Sequence, residues 1–492
     1  MITIANLIAG ELVPPRGGRY LDNVEPATGF VYSKVPDSDA TDVDAAVAAA
    51  EAAFPTWSRT PADERSRVLL RLADLVECRL EAFARAESVD TGKPIAVARS
   101  VDIPRAVQNF RFFAGAILHT SSQLHVTDHT ALNYTLRRPR GVAGLVSPWN
   151  LPLYLLTWKV APAIATGNTA VAKPSELTPM TAHLLAEAAR EAGLPPGVLN
   201  VVHGTGPLAG EAIVTHPRVT TLSFTGSTAT GRRIASHAGP AFKKLALEMG
   251  GKNPNIVFAD ADLAAAIEGS LRAAFSNQGQ ICLCGPRVYV ERPAFDRFVD
   301  RLIDGARALR VGDPLEETTH QGALVSRAHF DKVMGYIELA RREGGTIRCG
   351  GRPPAAVPAR CQGGYFIEPT VVTGLPPDCR TNQEEIFGPV VTVAPFDTEA
   401  EAIRYANGTP YGLAASVWTE HLSRAHRVAD AIEAGTVWIN CWMLRDLRVP
   451  FGGMKQSGVG REGGEEAMRF FTEPKNVCVR VERGEGGGGR GV

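Results

Sequence analysis

The sequence predicts an α/β fold with two helix-covered sheets, and three observations lead there. Short apolar runs alternate with amphipathic helical segments through most of the 492 residues, the pattern of parallel strands joined by crossover helices. The alternation comes in two series, one closing with the run Asn255–Phe258 and one spanning residues 287–440. The composition, 45% apolar and 21% charged, is that of a globular chain long enough for two or three domains.

In the first series, residues 41–56 read as a helix with Val43, Ala46, Val47, Ala50 and Phe54 on one face and a Thr41/Asp44 capping pattern. Residues 62–90 continue in helical period through Val68, Leu69, Leu72, Leu75 and Leu80. Strands follow at Val142–Val146, Thr169–Ala172, Leu199–Val202, Thr220–Phe224 and Asn255–Phe258. Thr178-Pro179 marks a helix start, and Gly193 with Pro195-Pro196 marks its stop. The second series reads strand 287–291, helix 293–309, helix 329–344, strand 390–396, helix 399–407, strand 412–418, helix 422–433 and strand 436–440. Residues 120–140 and 475–482 are polar and β-leaning, suited to strands that protrude and pair with another subunit. The terminal GEGGGGRGV has the composition of a disordered tail.

Charge and cysteine usage exclude several classes. The 52 Lys+Arg cancel 52 Asp+Glu, which removes the long-range attraction on which nucleic-acid and anionic-membrane binders depend. No run approaches the ~18 apolar residues of a membrane-spanning helix. The start, MITIANLIAGELVPPRGG, has no basic segment before its apolar residues, so no secretory signal is expected. Eight cysteines are too sparse for a disulfide scaffold. The expected setting is cytoplasmic, with reduced thiols.

Several segments carry chemistry. Gly204-Thr-Gly206-Pro-Leu-Ala-Gly210 reads either as a phosphate cradle or as a tight turn opening a helix, with Pro207 where a cradle needs a free N–H. Ser223-Phe-Thr225-Gly226-Ser227-Thr-Ala-Thr-Gly231 feeds glycines and hydroxyls from a strand into a helix start, where backbone N–H groups and the helix dipole favour a phosphate. Cys282, after Asn277-Gln-Gly279-Gln-Ile, is a candidate nucleophile whose pKa nearby backbone dipoles can lower. A buried inert thiol, or half a metal site with Cys284, are its other readings; no second Cys or His pair stands at ligand spacing, so no metal is expected. His125 and His129 read as solvated residues of the polar arm. Glu248, between Leu247 and Met249, reads as a surface charge or as a partly buried carboxyl raised toward general-base range.

Taken together and in order, Ser147-Pro-Trp149-Asn150, Lys173-Pro-Ser175-Glu176, Phe224–Gly231, Leu247-Glu-Met-Gly-Gly251, Gly279-Gln-Ile-Cys282, Glu384-Glu385-Ile-Phe387-Gly-Pro389 and Pro450-Phe-Gly-Gly453 resemble the aldehyde dehydrogenase superfamily along nearly the whole chain. The resemblance implies a Rossmann-like NAD-binding domain (residues 1–119 and 141–250), an α/β catalytic domain (251–465), a bridging β-arm (120–140 and 466–483) and a disordered tail (484–492). It implies Cys282 as nucleophile, the Asn150 amide with the Cys282 N–H as oxyanion hole, and Glu248 as the base that activates water. Lys159 and Glu462 match a pair that carries a proton away from Glu248. Trp149, Lys173, Ser175, Glu176, Thr225, Gly226, Ser227, Gly231, Glu385 and Phe387 fall at cofactor-binding positions. Glu176 would repel a 2′-phosphate, so the implied cofactor is NAD, and the presence of Glu248 implies hydrolysis rather than transfer to coenzyme A.

Within the superfamily, Asp102-Ile-Pro-Arg105, Ala131-Leu-Asn-Tyr134, Asn150–Lys159, Ile281-Cys-Leu-Cys284 and Trp438–Arg448 resemble the branch acting on 2-aminomuconic and 2-hydroxymuconic semialdehydes. Asn277-Gln278 and Phe470-Phe-Thr-Glu473 lean toward the amino branch. Arg105 and Arg445 then become candidate partners for a substrate carboxylate, which guanidinium recognises by bidentate geometry. A solvated Arg105 and a local Arg445–Asp446 ion pair are the competing readings. Leu151, Tyr154, Leu155, Trp158 and Leu283 would wall the substrate. The expected partner is a small semialdehyde, in a homodimer or homotetramer. Rival readings are the same chemistry on a betaine or aliphatic aldehyde, a thiol acyltransferase, and a catalytically silent oligomer of the same fold.

Overall fold

The computed structural model describes residues 1–481; the tail expected at 484–492, and the last two residues of the arm segment expected at 466–483, lie outside them. Five parallel strands form the centre of the first sheet: β1 (Val142–Val146), β2 (Thr169–Lys173), β3 (Leu199–Val201), β4 (Val219–Thr225) and β5 (Lys244–Glu248). They stand in the order β5-β4-β1-β2-β3. β2 and β3 are buried throughout and β1 nearly so, which is why they read as unbroken apolar runs. The chain builds β1, β2 and β3 in one direction, then crosses back to lay β4 on the other side of β1. That reversal opens a crevice at the carboxyl ends of β1 and β4, the place where such sheets take ligands. Asn6–Ile8 and Glu11–Val13 extend the β3 edge, and Gly458–Val459 closes the β5 edge antiparallel, with Gly458 opposite Glu248.

The second sheet orders 346–349, 370–373, 390–396, 287–291, 254–257, 414–418 and 436–439, parallel except for the 346–349 edge. The third, the arm, pairs Leu124–Thr127, Ala131–Pro139 and Thr472–Arg480 antiparallel, with Cys478 opposite Asn133. The last strand begins earlier than residue 475 because the helix Gly464–Phe470 delivers it from the core, where Ala467, Phe470 and Phe471 are buried.

Several local expectations change. The first helix, Ala40–Trp57, is capped by Asp39, whose carboxylate accepts from the Thr41 N–H, and not by Thr41. The 62–90 helix breaks at Arg79 (φ −105°, ψ 21°) into Ala62–Cys78 and Leu80–Thr91, a change of direction that keeps Val76 and Phe83 both buried. The helix after Thr178 runs Met180–Glu191, and its first N–H is satisfied at 2.7 Å by the Asp90 carboxylate from a distant helix, not by the Thr178 hydroxyl. The strand expected at 412–418 is two: Tyr411–Gly412 pairs with Met454–Lys455, while Ala414–Trp418 enters the second sheet.

Candidate active site

Cys282 lies on a loop that leaves the Leu263–Phe275 helix through a tight turn, Ser276–Gly279. Asn277 and Gln278 both take left-handed backbone angles there (φ 50° and 55°), a conformation costly for side-chain-bearing residues unless the surroundings hold it. Gln278 holds it by donating to the Gly92 and Ala323 carbonyls at 3.1 and 2.9 Å. Asn277 holds it by donating to the carbonyls of Asn150 and Gln280 at 3.1 and 3.2 Å. Gly279 (φ 70°) lets the Gly388 carbonyl sit where a Cβ would stand. Asn253, absent from the sequence-based expectations, donates to the Cys282 and Cys284 carbonyls at 2.7 Å each and accepts from Ala414 N–H. The main chain of the loop is thus tied to the second sheet while the residue itself lines a cavity of about 250 Å³.

That cavity is bounded by Trp149, Asn150, Thr225, Gly226, Ser227, Gly250, Glu385 and Phe387, bringing eight expected or flanking positions to one place around Cys282. The thiol does not have the lowered pKa expected from backbone dipoles. Burial, reinforced by Glu385 and Glu248, pushes it up to about 12, against the opposing pull of Arg445. Cys284 is buried and pushed to about 12 by the same desolvation. Among the described residues no three His, Cys, Asp or Glu side chains gather in a way that could hold a metal.

Asn150 is buried, and its side-chain amide donates to the Gln280 carbonyl at 2.9 Å, leaving its second N–H uncommitted. Glu248 ends β5, with neither carboxylate oxygen hydrogen-bonded to the protein. Burial and the neighbouring Glu462 hold its carboxyl well above the usual range, with Lys159, Arg461 and Arg445 pulling it down. Gly452 is the close neighbour that makes room: a Cβ there would stand 2.8 Å from Glu248 Oε1. Lys159 Nζ donates to Glu462 Oε1 at 2.8 Å and to Ser223 Oγ at 2.9 Å, and Ser223 in turn donates to the same Glu462 oxygen at 2.9 Å. The pair expected from sequence therefore contains a third, hydroxyl member on β4.

The crevice between β1 and β4 fits a dinucleotide. One end is the Cys282 cavity; the other is a recess of about 160 Å³ lined by Val146, Lys173, Gly206, Gly210, Phe224 and Ile234. Between them, Thr225 presents a buried hydroxyl without a protein partner. Ser227 caps the eleven-residue helix Thr228–Ala238, whose first N–H groups suit a phosphate. A Cβ at Gly226 would meet the Phe224 ring, and one at Gly231 the Met249 sulfur, so both glycines serve close packing. Lys173 Nζ donates to the Pro174 and Gly204 carbonyls and to Glu176 at 3.2 Å. Ser175 Oγ accepts from the Leu177 N–H. At the other end, Phe387 is left-handed (φ 63°), packs edge-on to Trp149 at 5.3 Å and presents its carbonyl to His329 Nε2 at 2.7 Å. Glu385 accepts from Gly251 N–H at 3.0 Å. His329 and Lys332 also line the cavity and were not foreseen; they sit three and six residues past the Ser326 cap of the helix Arg327–Arg342, 58 and 55 residues before Phe387, with no local pattern to mark them.

On the far side of Cys282, Leu151, Tyr154, Leu283, Trp438, Trp442 and Phe451 form an apolar cluster with Leu155 and Cys282 against it. Arg105, on the helix Ile103–Ala116, is half-buried, with its Nε and Nη2 buried and unpartnered among the described residues. Its guanidinium stands over the Tyr154 and Trp158 rings at 5.5 and 5.8 Å. Arg445 stands over Phe451 and Trp158 at 4.0 and 6.0 Å. The local ion pair considered for Arg445 does not form, because Arg448 takes the Asp446 carboxylate.

The sequence model of the aldehyde dehydrogenase family matches residues 13–477. The chain is 54% identical to 2-aminomuconic semialdehyde dehydrogenase of Danio rerio over 482 residues, covering 97% of this chain and 98% of that protein. It is 48% identical to 2-hydroxymuconic semialdehyde dehydrogenase of Pseudomonas sp. (strain CF600), covering 98% of this chain and all of that protein. Among solved structures, the NAD+ complex of an aldehyde dehydrogenase from Bacillus cereus superposes with a TM-score of 0.95 at 42% identity, over 98% of this chain and 97% of that one.

Proposed function

The chain belongs to the aldehyde dehydrogenase family, and from that premise we propose that it oxidises 2-aminomuconate 6-semialdehyde, or its 2-hydroxy counterpart, to the dicarboxylate with NAD. The observation that carries the substrate assignment is the pair Arg105 and Arg445, two guanidiniums on one indole ring beyond Cys282 that pair with no carboxylate among the described residues. A half-buried guanidinium cannot shed its charge and is stabilised by an anion in bidentate contact. A semialdehyde that carries a carboxylate supplies one; a neutral aldehyde does not. Relatives named for both muconic semialdehydes support the same choice.

Bound NAD supplies the hydride acceptor for this chemistry. Cys282 adds to the aldehyde carbon, and its proton must leave because the thiol rests protonated. That proton passes to water in the cavity, while Glu248, with no protein hydrogen bond to break, serves the later hydrolytic step in its ionised form. The uncommitted Asn150 N–H and the Cys282 N–H stabilise the developing oxyanion, a contribution worth most in a dry site. Once the carbon is at the acid level it is held as a thioester on Cys282. Glu248 then deprotonates the water that cleaves it, and Ser223, Lys159 and Glu462 carry the proton onward. Lys173 and Glu176 hold the adenosine ribose, Ser175 and Ser227 the neighbouring polar groups, and Glu385 and Phe387 the nicotinamide end.

The division into an NAD-binding unit (1–119, 141–250), a catalytic unit (251–465) and an arm is part of this reading. So are assembly through the arm into a dimer or tetramer, and a cytoplasmic setting. The arm's edge strand leaves Leu124 and Val126 exposed, which supports pairing with another subunit; no helix of the described residues is long and apolar enough to cross a membrane. The test is a side-by-side kcat/KM comparison of the two muconic semialdehydes and hexanal, with NAD and NADP. A strong preference for the acidic substrates with NAD supports the proposal, and equal values for hexanal overturn it. Absence of NADH formation with any aldehyde would favour the silent oligomer.

A further inference from the structure

Lys93 is fully buried, 57 residues before Asn150 in the chain, and none of the reacting groups described above is its partner by sequence pattern. Its ammonium meets the Asp102 carboxylate, lies 3.8 Å from Glu87, and donates to the main-chain carbonyl of Asn150 at 3.0 Å. Its own main chain is pinned as well: the Lys93 N–H donates to Thr91 Oγ1 and its carbonyl accepts from Ser88 Oγ at 2.6 Å. The placement is costly, since a buried ammonium must be compensated and fully hydrogen-bonded. Burial raises both carboxyls, Glu87 up to about 8 with Asp102 adding to the shift, and Lys93 pulls both back; Asp102 is the one in direct contact with the ammonium. A methionine of similar length would fill this space but leave Asp102 and Glu87 without their counter-charge. The polar group is retained where it touches one thing outside its own cluster, the Asn150 carbonyl.

That carbonyl is shared with Asn277, whose amide donates to it at 3.1 Å and also to the Gln280 carbonyl. Gln280 O is in turn the acceptor of the Asn150 side-chain amide. Asn150, Asn277 and Gln280 close a ring, and Lys93 joins it at the Asn150 carbonyl: Lys93 and Asn277 hold the Asn150 main chain, while Gln280 holds its side chain two residues before Cys282. Asp102 stands three residues before Arg105 at the start of the same helix, so the ring is anchored to the element that carries the guanidinium.

We propose that Lys93 is a positioning residue for the oxyanion donor, fixing Asn150 against the Cys282 loop through its main-chain carbonyl. The inference rests on the reading of Asn150 as that donor. It predicts that Lys93 acts only through Asn150, which a general structural role would not do. The test is a double-mutant cycle on oxidation of propanal, a neutral aldehyde that leaves Arg105 and Arg445 out of the comparison, with near-ultraviolet circular dichroism as the fold control. Lys93→Met should lower kcat/KM by about 10²-fold, the scale of a misplaced catalytic group. Lys93→Gln, whose amide can donate to the same carbonyl, should lose less. In an Asn150→Ala background Lys93→Met should cause no further loss. Where Lys93→Met fails to fold, Lys93→Gln in both backgrounds supplies the cycle. Unchanged kcat/KM in the Lys93 variants, or a loss that multiplies undiminished onto Asn150→Ala, overturns the inference while leaving the role of Asn150 intact. Full activity of Asn150→Ala overturns the role of Asn150 and this inference with it.

Discussion

Arg105 and Arg445 stand over the same indole, Trp158, at 5.8 and 6.0 Å, where burial first and the Arg445 charge after it hold the Arg105 guanidinium below its usual pKa. Cation–π contact contributes about 0.5–2 kcal/mol to such a group, less than a carboxylate in the same place. The arrangement is therefore incomplete without an anion.

Arg105→Ala should raise KM for a muconic semialdehyde by one to two orders of magnitude, from loss of a charge-assisted contact of roughly 1.5–3 kcal/mol. KM for hexanal should change little. Steady-state kinetics on both substrates checks this, and equal shifts for both would remove the carboxylate assignment.

Glu248→Gln should leave acylation measurable and slow deacylation by about 10²–10⁴-fold, the range for loss of a general base. A burst of NADH followed by a slow steady state is the expected trace. The same variant should alter the pH dependence of stability. Because the folded carboxyl is raised, the native state holds a proton the unfolded chain has released, and the stability this group contributes is present below the ordinary carboxyl pKa and lost as pH climbs through the folded value. Over that window Tm should fall less with rising pH in Glu248→Gln than in the parent.

Gly279→Ala should unfold the catalytic loop locally. The added Cβ meets the Gly388 carbonyl, and the backbone there has φ 70°. A cost of about 1–3 kcal/mol from the conformation alone comes on top of the clash, and both loops that it touches, those of Cys282 and Phe387, line the cavity. Urea denaturation and NADH formation should both report it.

Glu176→Gln should raise kcat/KM with NADP by about tenfold, since about 1.4 kcal/mol of charge repulsion corresponds to that factor, while changing NAD kinetics modestly. Its partner Lys173 is released by the same change to meet a phosphate.

Most parallel strands were legible because residues buried on both faces leave unbroken apolar runs such as Val142–Val146; Lys244–Glu248 and Thr370–Thr373 were missed, and the run at 255–258, read as closing the first series, enters the second sheet. The helix Pro152–Ala165, buried almost all round, lacks the polar face that would have announced it. Cys282, Glu248 and Asn150 stood in motifs, and the structure brings them around one crevice. Asn253, Lys93, Ser223, His329 and Lys332 act across long sequence separations and carry no local signature; only the folded chain shows that Asn253 holds the Cys282 carbonyl or that Lys93 reaches Asn150. The direction of the Cys282 pKa was also out of reach, because desolvation by the assembled walls outweighs the backbone dipoles that the turn sequence displays.

Rapid quenching of the enzyme with NAD and propanal, followed by mass spectrometry of the peptide bearing Cys282, addresses the chemistry most directly. The account predicts a single propanoyl group on Cys282, transient in the parent and accumulating to near stoichiometry in Glu248→Gln. An unmodified Cys282 in Glu248→Gln during turnover, or a Cys282→Ser variant that oxidises propanal at the parent rate, would contradict it.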